Sequence, residues 1–345
     1  MRNFIALLLF LFNFLLSGCG GGGIPTSTTA TPTVTPTTPV PLPIIGFNYA
    51  EIELQRLANA ISSIREVASA GKLIQQTQLD LAAKRHLDYL FKNSLNTNGS
   101  FLYSIQENGQ WGGHYESVLN LGFSGSTPQA RADNTGYIGV VNELAVFGAK
   151  SELECVTSLA NSAYHITHIL SPFEDMGVSF SSGNGGDSVC IVLLGVATSR
   201  PGVFVASNQY VVYPARNQIN VAPIFYNQAE RPNPAPDLLI AGHPVFISFY
   251  NLENKSLSSK DVVIHAFKLE SNSGSQIPVR ILTYPDVQSS GITLVSDRNV
   301  PAPGYVVALP TQPLLSNSTY KVKVSAAIAG NPVTQEWTFT TGSVN

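Results

Sequence analysis

The residues of this chain best suited to chemistry are its six histidines and the carboxylates near them. His165 and His168 are three apart, so on a helix they share a face and could offer two imidazoles to a metal ion. No His-Glu-x-x-His pattern accompanies them, and His168 reads as a surface or packing residue. His86 follows Ala82-Ala83-Lys84-Arg85 in a helical stretch and reads as a packing or capping residue. His243 and His265 read as ordinary strand residues. His114, Glu143 and His165 are the more interesting set. They lie in three separated segments: His114-Tyr115-Glu116, Asn142-Glu143-Leu144-Ala145, and Ser162 to Pro172. Glu116, beside His114, is a candidate base whose plainer reading is a solvated loop carboxylate. Glu152 and Glu154 sit in the first turn of a helix, where acids favour the macrodipole and need no further role. Arg131 is expected to bridge a nearby carboxylate. The chain has no Gly-x-Ser-x-Gly motif and no sign of another activated nucleophile.

These residues must be positioned by the elements around them. Apolar residues recur at helical spacing from Glu51 to Ser69, and Gly71 is the expected stop. The spacing predicts a second helix from Thr77 to Leu90 and a third over Ser151–Leu159. Met176–Phe180 and Ser188–Ala197 read as strands joined by a hairpin turn at Gly183–Gly186. Helices followed by paired strands give an α+β fold class. The character changes after Ser199-Arg200-Pro201-Gly202. Short strands are expected at Val203–Val205, Tyr210–Tyr213, Val245–Tyr250, Val262–Leu269, Val279–Leu282, Tyr305–Ala308, Tyr320–Ala326 and Glu336–Thr341. Strands at this spacing predict a β-sandwich.

Composition excludes one large class of function. The 345 residues carry a net charge of −3 with only 12% charged side chains. There is no basic stripe, so a nucleic-acid partner is not expected. The N-terminus points elsewhere. Arg2 precedes an apolar run from Phe4 to Leu16, and Leu16-Ser17-Gly18-Cys19 follows. This is an export signal, and its end resembles the lipobox of bacterial lipoproteins. That resemblance implies removal of residues 1–18, acylation of Cys19 and a lipid bilayer as partner. A simple transmembrane anchor is the plainer alternative, but the run is short for a span. Residues 19–46, rich in Gly, Thr and Pro, read as a semi-stiff tether. An exported chain meets an oxidising compartment, so Cys155 and Cys190 are expected to pair in a disulfide, with two buried free thiols as the alternative. The localisation that follows is the bacterial cell envelope, lipid-anchored and extracytoplasmic. Gly20 after Cys19 points to the outer membrane if the envelope is Gram-negative.

Residues 47–200 resemble bacterial members of the CAP superfamily, the SCP-like domains. Several blocks in one order carry the likeness: Leu79, Ala82-Ala83, His86 and Tyr89-Leu90; His114-Tyr115-Glu116; Gly122-Phe123-Ser124-Gly125-Ser126-Thr127-Pro128; Arg131-Ala132; Gly136-Tyr137; Asn142-Glu143; and Ser162 to His165, ending at Gly177-Val178. The resemblance implies a CAP-type α-β-α sandwich with a large cleft. Family members often line this cleft with a His–Glu–Glu–His tetrad that can hold a divalent cation. His114 matches the first histidine, Glu143 a glutamate and His165 the last histidine. Two imidazoles and a carboxylate suit Zn²⁺. The family's asparagine after the glutamate is Leu144 here, its arginine after the last histidine is Ile166, and its tryptophan is Leu159. The second glutamate has no clear counterpart. Residues 201–345 end in Leu315-Ser316-Asn317-Ser318-Thr319-Tyr320 and Trp337-Thr338-Phe339-Thr340-Thr341-Gly342, which resembles the close of bacterial Ig-like domains.

The expected function is a membrane-tethered module that binds a lipid, a cell-wall fragment or a divalent metal in the cleft, without catalysis. The alternative is a metal-dependent hydrolase of peptide or ester bonds using His114, His165 and Glu143, with Glu143 or Glu116 as base. A third account makes the same residues an inert buried network that holds loops in place.

Overall fold

The computed structural model of the protein describes residues 46–93, 106–107, 110–111, 113–182 and 188–343. The export signal, Cys19, the tether and the turn at 183–186 lie outside these residues. The described residues from 46 onward belong to one compact unit. The fold is mixed α+β, as the order of elements predicts. Among the described residues, no helix is long and apolar enough to cross a membrane.

Helix α1 (Ile52–Val67) buries Leu57, Ala58, Ile61 and Arg65, a stripe at helical spacing. Helix α2 (Thr77–Asn93) buries Leu79, Ala82, Ala83, His86, Leu87, Tyr89 and Leu90. Helix α3 (Pro128–Asn134) starts with Pro128 in its first turn, and the Thr127 side chain accepts from the Ala130 N–H at 3.1 Å. Helix α4 (Glu152–Ala160) is capped by Ser151, which accepts from Glu154 N–H. The Glu154 carboxylate accepts in return from Lys150 N–H at 2.7 Å. Helix α5 (His165–Ile169) is a short turn beyond it.

The helices pack on a four-stranded sheet. Ser188–Ala197 lies in its middle, antiparallel to both Asp175–Ser182 and Gly139–Phe147, and Ile74–Gln75 runs parallel to Asp175–Ser182 at one edge. Alternation along the middle strand sorts the core. Val189, Ile191 and Leu193 pack with α2 and α3, whereas Cys190, Val192 and Leu194 pack with α1, α4 and α5. At Gly177 an added Cβ would lie 2.2 Å from a backbone carbon of Leu79, so α2 approaches the sheet closer than any side chain permits. Cys155 on α4 and Cys190 on the middle strand form the expected disulfide.

Beyond residue 200 two further sheets form. One has five strands in the order Val295–Ser296, Val279–Thr283, Tyr305–Pro310, Val245–Ser248, Val211–Tyr213. The other is built on Val262–Ser271, Thr319–Ile328 and Asn331–Thr341. Val245, Ile247, Val306 and Ala308 of the first share a core with Val322, Val324, Trp337 and Phe339 of the second. The opposite face of the five-stranded sheet, with Tyr213, Phe246, Tyr305 and Val307, joins the core of α1, α4 and α5. That sheet is therefore buried on both faces, which explains strands such as Tyr305–Pro310 in which every residue is inside. Val203–Val205, expected as a strand, is irregular backbone. His265 sits exposed on a strand, but His243 is buried in the link between Ala241–Gly242 and Val245–Ser248 rather than in a strand.

Arg65 ties α1 to the rest. Its side chain is fully buried. It donates to five backbone carbonyls: Gly71 (3.1 Å), Ala70 (2.6 Å), Ile169 (2.6 Å), Ser171 (2.7 Å) and Phe173 (2.8 Å). Burial pushes its guanidinium down to about 10, so it remains charged near neutral pH. Arg65→Met would take the side-chain donor from all five carbonyls, of which that of Ser171 keeps the Phe173 N–H. It is expected to cost upward of about 4 kcal/mol in urea unfolding, since the other four are left without it and each orphaned buried acceptor costs about 1–3 kcal/mol.

Candidate functional site

Glu143 lies on Gly139–Phe147, opposite Leu193 of the middle strand. Its neighbours two and four residues along the strand, Val141, Ala145 and Phe147, pack with α2 and α3, so Glu143 points to that face as well. There it meets Arg131 from α3, His86 from α2 and His114 from the loop before α3. The Glu143 side chain is wholly buried, whereas that of His114 keeps 31% of its surface exposed.

The contacts are closely matched. Arg131 Nη2 donates to Glu143 Oε2 at 2.7 Å, and His114 Nδ1 donates to Glu143 Oε1 at 3.1 Å. Arg131 also donates to the carbonyls of His114 (3.2 Å) and Gly125 (3.4 Å), which fixes the loop on either side. His86 Nδ1 lies 2.9 Å from Glu116 Oε1, and its Nε2 lies 2.9 Å from the Gly113 carbonyl. Both ring nitrogens thus face acceptors. Glu116 accepts in addition from the Ser124 N–H (2.6 Å) and the Ser124 hydroxyl (3.0 Å). Burial on its own would raise the Glu143 carboxyl. Arg131, His86 and the His114 hydrogen bond outweigh it and hold Glu143 down to about 2.

His114 and Glu143 are thus brought together, and Arg131 bridges a carboxylate as its position suggests. His165 is placed differently. Its Nδ1 lies 2.9 Å from Oε1 of Glu230, a residue from beyond position 200. Glu230 also accepts from the backbone N–H groups of Ala163, Tyr164 and His165, and so caps the start of α5. Burial first, then the charges of His165 and His114, push the half-buried His168 down to about 3. Among the described residues, however, no group of three or more His, Cys, Asp or Glu side chains is arranged to hold a metal ion. The set His114, His165 and Glu143 does not fit a divalent cation. Glu143 has both oxygens committed, one of them to a guanidinium that would repel the metal, and His165 is bonded elsewhere.

Two residues have more central roles than their plain sequence readings. Glu116 is buried inside the cluster rather than solvated on a loop. His86 is its hydrogen-bond partner rather than simple packing. The signal was present in α2: His86 follows Leu79, Ala82 and Ala83 on the apolar stripe, and a polar residue there must find polar partners. Glu152 also turns inward, within 3.6 Å of Arg56.

No protein-family model matches the chain, and no curated protein matches it in sequence. Among solved structures, an outer surface protein from Borrelia burgdorferi is similar over 45% of this chain and 100% of its own length. The identity is 16% and the TM-score 0.34.

The cluster makes stability depend on pH with a definite sign. Glu143 has a folded value of about 2 against an ordinary 4.5, so its contribution is complete above pH 4.5 and is lost as pH falls through 2. The loss is expected to reach about 3 kcal/mol across that window, read by urea unfolding at stepped pH. Arg131→Met is expected to cost about 3–5 kcal/mol near neutral pH, because it leaves a buried carboxylate without its cation.

Proposed function

We propose that this chain is a membrane-tethered, extracytoplasmic binding module of CAP type, carried with an Ig-like β-region, and that it binds an amphiphilic ligand without catalysis. Helices on both faces of a mostly antiparallel sheet, with His114 and Glu143 meeting beside it, support the CAP reading. Two further sheets with a shared core support the Ig-like reading. The lipobox-like Leu16-Ser17-Gly18-Cys19 supports the tether.

The observation that carries the non-catalytic reading is that both carboxylates of the cluster are spent. A general base works best with a pKa near the working pH. Glu143 is held at about 2 with both oxygens bonded, and Glu116 is taken up by His86 and Ser124. Within the cluster, His114 is the residue that reaches the surface. With Nδ1 engaged by Glu143, its Nε2 is left to meet a ligand hydroxyl or amide. Next to it, the loop closed by Glu116 and Ser124 exposes Val118, Leu119 and Leu121 by 71–90%. A polar group beside an apolar rim suits a lipid better than a purely polar cell-wall fragment.

The test is titration of the full chain with a fluorescent fatty alcohol and, separately, with soluble cell-wall fragments, alongside assays with ester and peptide reporter substrates. Saturable alcohol binding that weakens about tenfold in His114→Ala, the worth of one hydrogen bond, with turnover no higher than in buffer, is the expected result. Turnover abolished by both His114→Ala and Glu143→Ala would establish the hydrolase instead. The tether has its own check: Cys19→Ser is expected to abolish palmitate incorporation and move the protein from the membrane to the soluble fraction.

A further inference from the structure

A separate hollow of about 430 Å³ lies between the helices and the chain beyond residue 200. Ile64 of α1 and Val156 and Ala160 of α4 form one wall, and Val221, Pro223 and Ile224 form another. None of His86, His114, Glu116, Arg131 and Glu143 lines it. Its volume falls in the range of small-molecule sites, and its walls mix the apolar side chains with polar ones, among them Thr157, Gln218, Asn220 and Ser343.

Two residues of its wall carry buried polar atoms with unmet hydrogen bonds. His243 lines the hollow with only 2% of its surface exposed, and neither of its ring nitrogens has a partner. The Tyr213 ring packs beside it, with centroids 5.6 Å apart. Asn161 also lines the hollow. Its Nδ2 donates to the Ile224 carbonyl at 2.9 Å, but its buried Oδ1 accepts nothing. Leaving such groups unpaired costs about 1–3 kcal/mol each, so a fold that retains them around a ligand-sized space has a use for them.

The chemistry of the occupant follows from the lining. No Lys, Arg, Asp or Glu lines the hollow. Burial pushes His243 down to about 3, so its imidazole is neutral and offers one N–H and one lone pair. A charged ligand would lose its hydration here without gaining a counter-charge. A hydroxyl or an amide both donates and accepts, so it can answer the imidazole and the Asn161 oxygen together. We infer that this hollow is a binding site for a small uncharged molecule with a hydroxyl or amide at its polar end and an apolar body. His243 and Asn161 hold the polar end, and the α1 and α4 side chains receive the body.

The test uses the full chain labelled with ¹⁵N, and benzamide, benzyl alcohol and benzoate as probes near neutral pH. Benzamide or benzyl alcohol is expected to shift the His243 ring-nitrogen resonances saturably, and benzoate is not. His243→Leu and Asn161→Leu are each expected to weaken binding about tenfold, the worth of one hydrogen bond. If His243→Leu fails to fold, the wild-type resonances and Asn161→Leu decide the matter. The inference is overturned if neither neutral probe moves the His243 resonances, if benzoate binds as well as benzamide, or if Asn161→Leu binds as wild type does.

Discussion

The contact between Arg131 and Glu143 is the constraint on which the candidate site depends. A carboxylate on the inner face of a sheet is tolerable only with a cation against it, because desolvation of a lone buried charge is far more costly than any single hydrogen bond returns. Arg131 supplies that cation at 2.7 Å and also donates to the carbonyls of His114 and Gly125. Strand, helix and loop are thereby held in one arrangement. A second pair, His86 and Glu116, lies against the first, with His86 Nε2 3.6 Å from Glu143 Oε1, and closes the loop through Ser124. Both pairs rest on α2 and α3, which rest on the odd-numbered residues of the middle strand.

The same balance explains what the cluster can and cannot do. Interactions that make a carboxylate cheap to bury also make it a weak base, since they stabilise the charged form that would have to take up a proton. Stability and proton transfer compete for the same lone pairs, and in Glu143 stability has them. His114 escapes because only one of its nitrogens is engaged within the cluster, and the partly exposed ring is what remains for recognition.

The β-region is part of the helical region's support. Glu230 caps α5 and engages His165, the Tyr164 hydroxyl donates to Asp297, and the Tyr305 hydroxyl donates to Ser171. The five-stranded sheet buries one face against the six-stranded sheet and the other against α1, α4 and α5. Where that second contact is incomplete, the cavity beside His243 remains. A hollow at such a seam can be shaped by residues from both sides, which is why Asn161 and His243 come to share it from 82 residues apart in sequence.

Hydropathy periodicity by itself determined α1, α2, α4, the strand pair around position 183 and most of the later strands, because burial of one face demands a repeat of 3.6 or 2. An expected oxidising compartment and two remaining cysteines were enough to pair Cys155 with Cys190. The strand Gly139–Phe147 was not legible, since Asn142 and Glu143 interrupt its apolar run, Glu143 for the sake of the buried cluster. Only the tertiary structure decided which groups partner one another: His86 with Glu116, Arg131 with Glu143, His165 with Glu230, and Arg65 with five carbonyls. Periodicity reports which way a side chain faces along its own element. Pairing depends on how distant elements approach, and no local pattern in the chain records that distance.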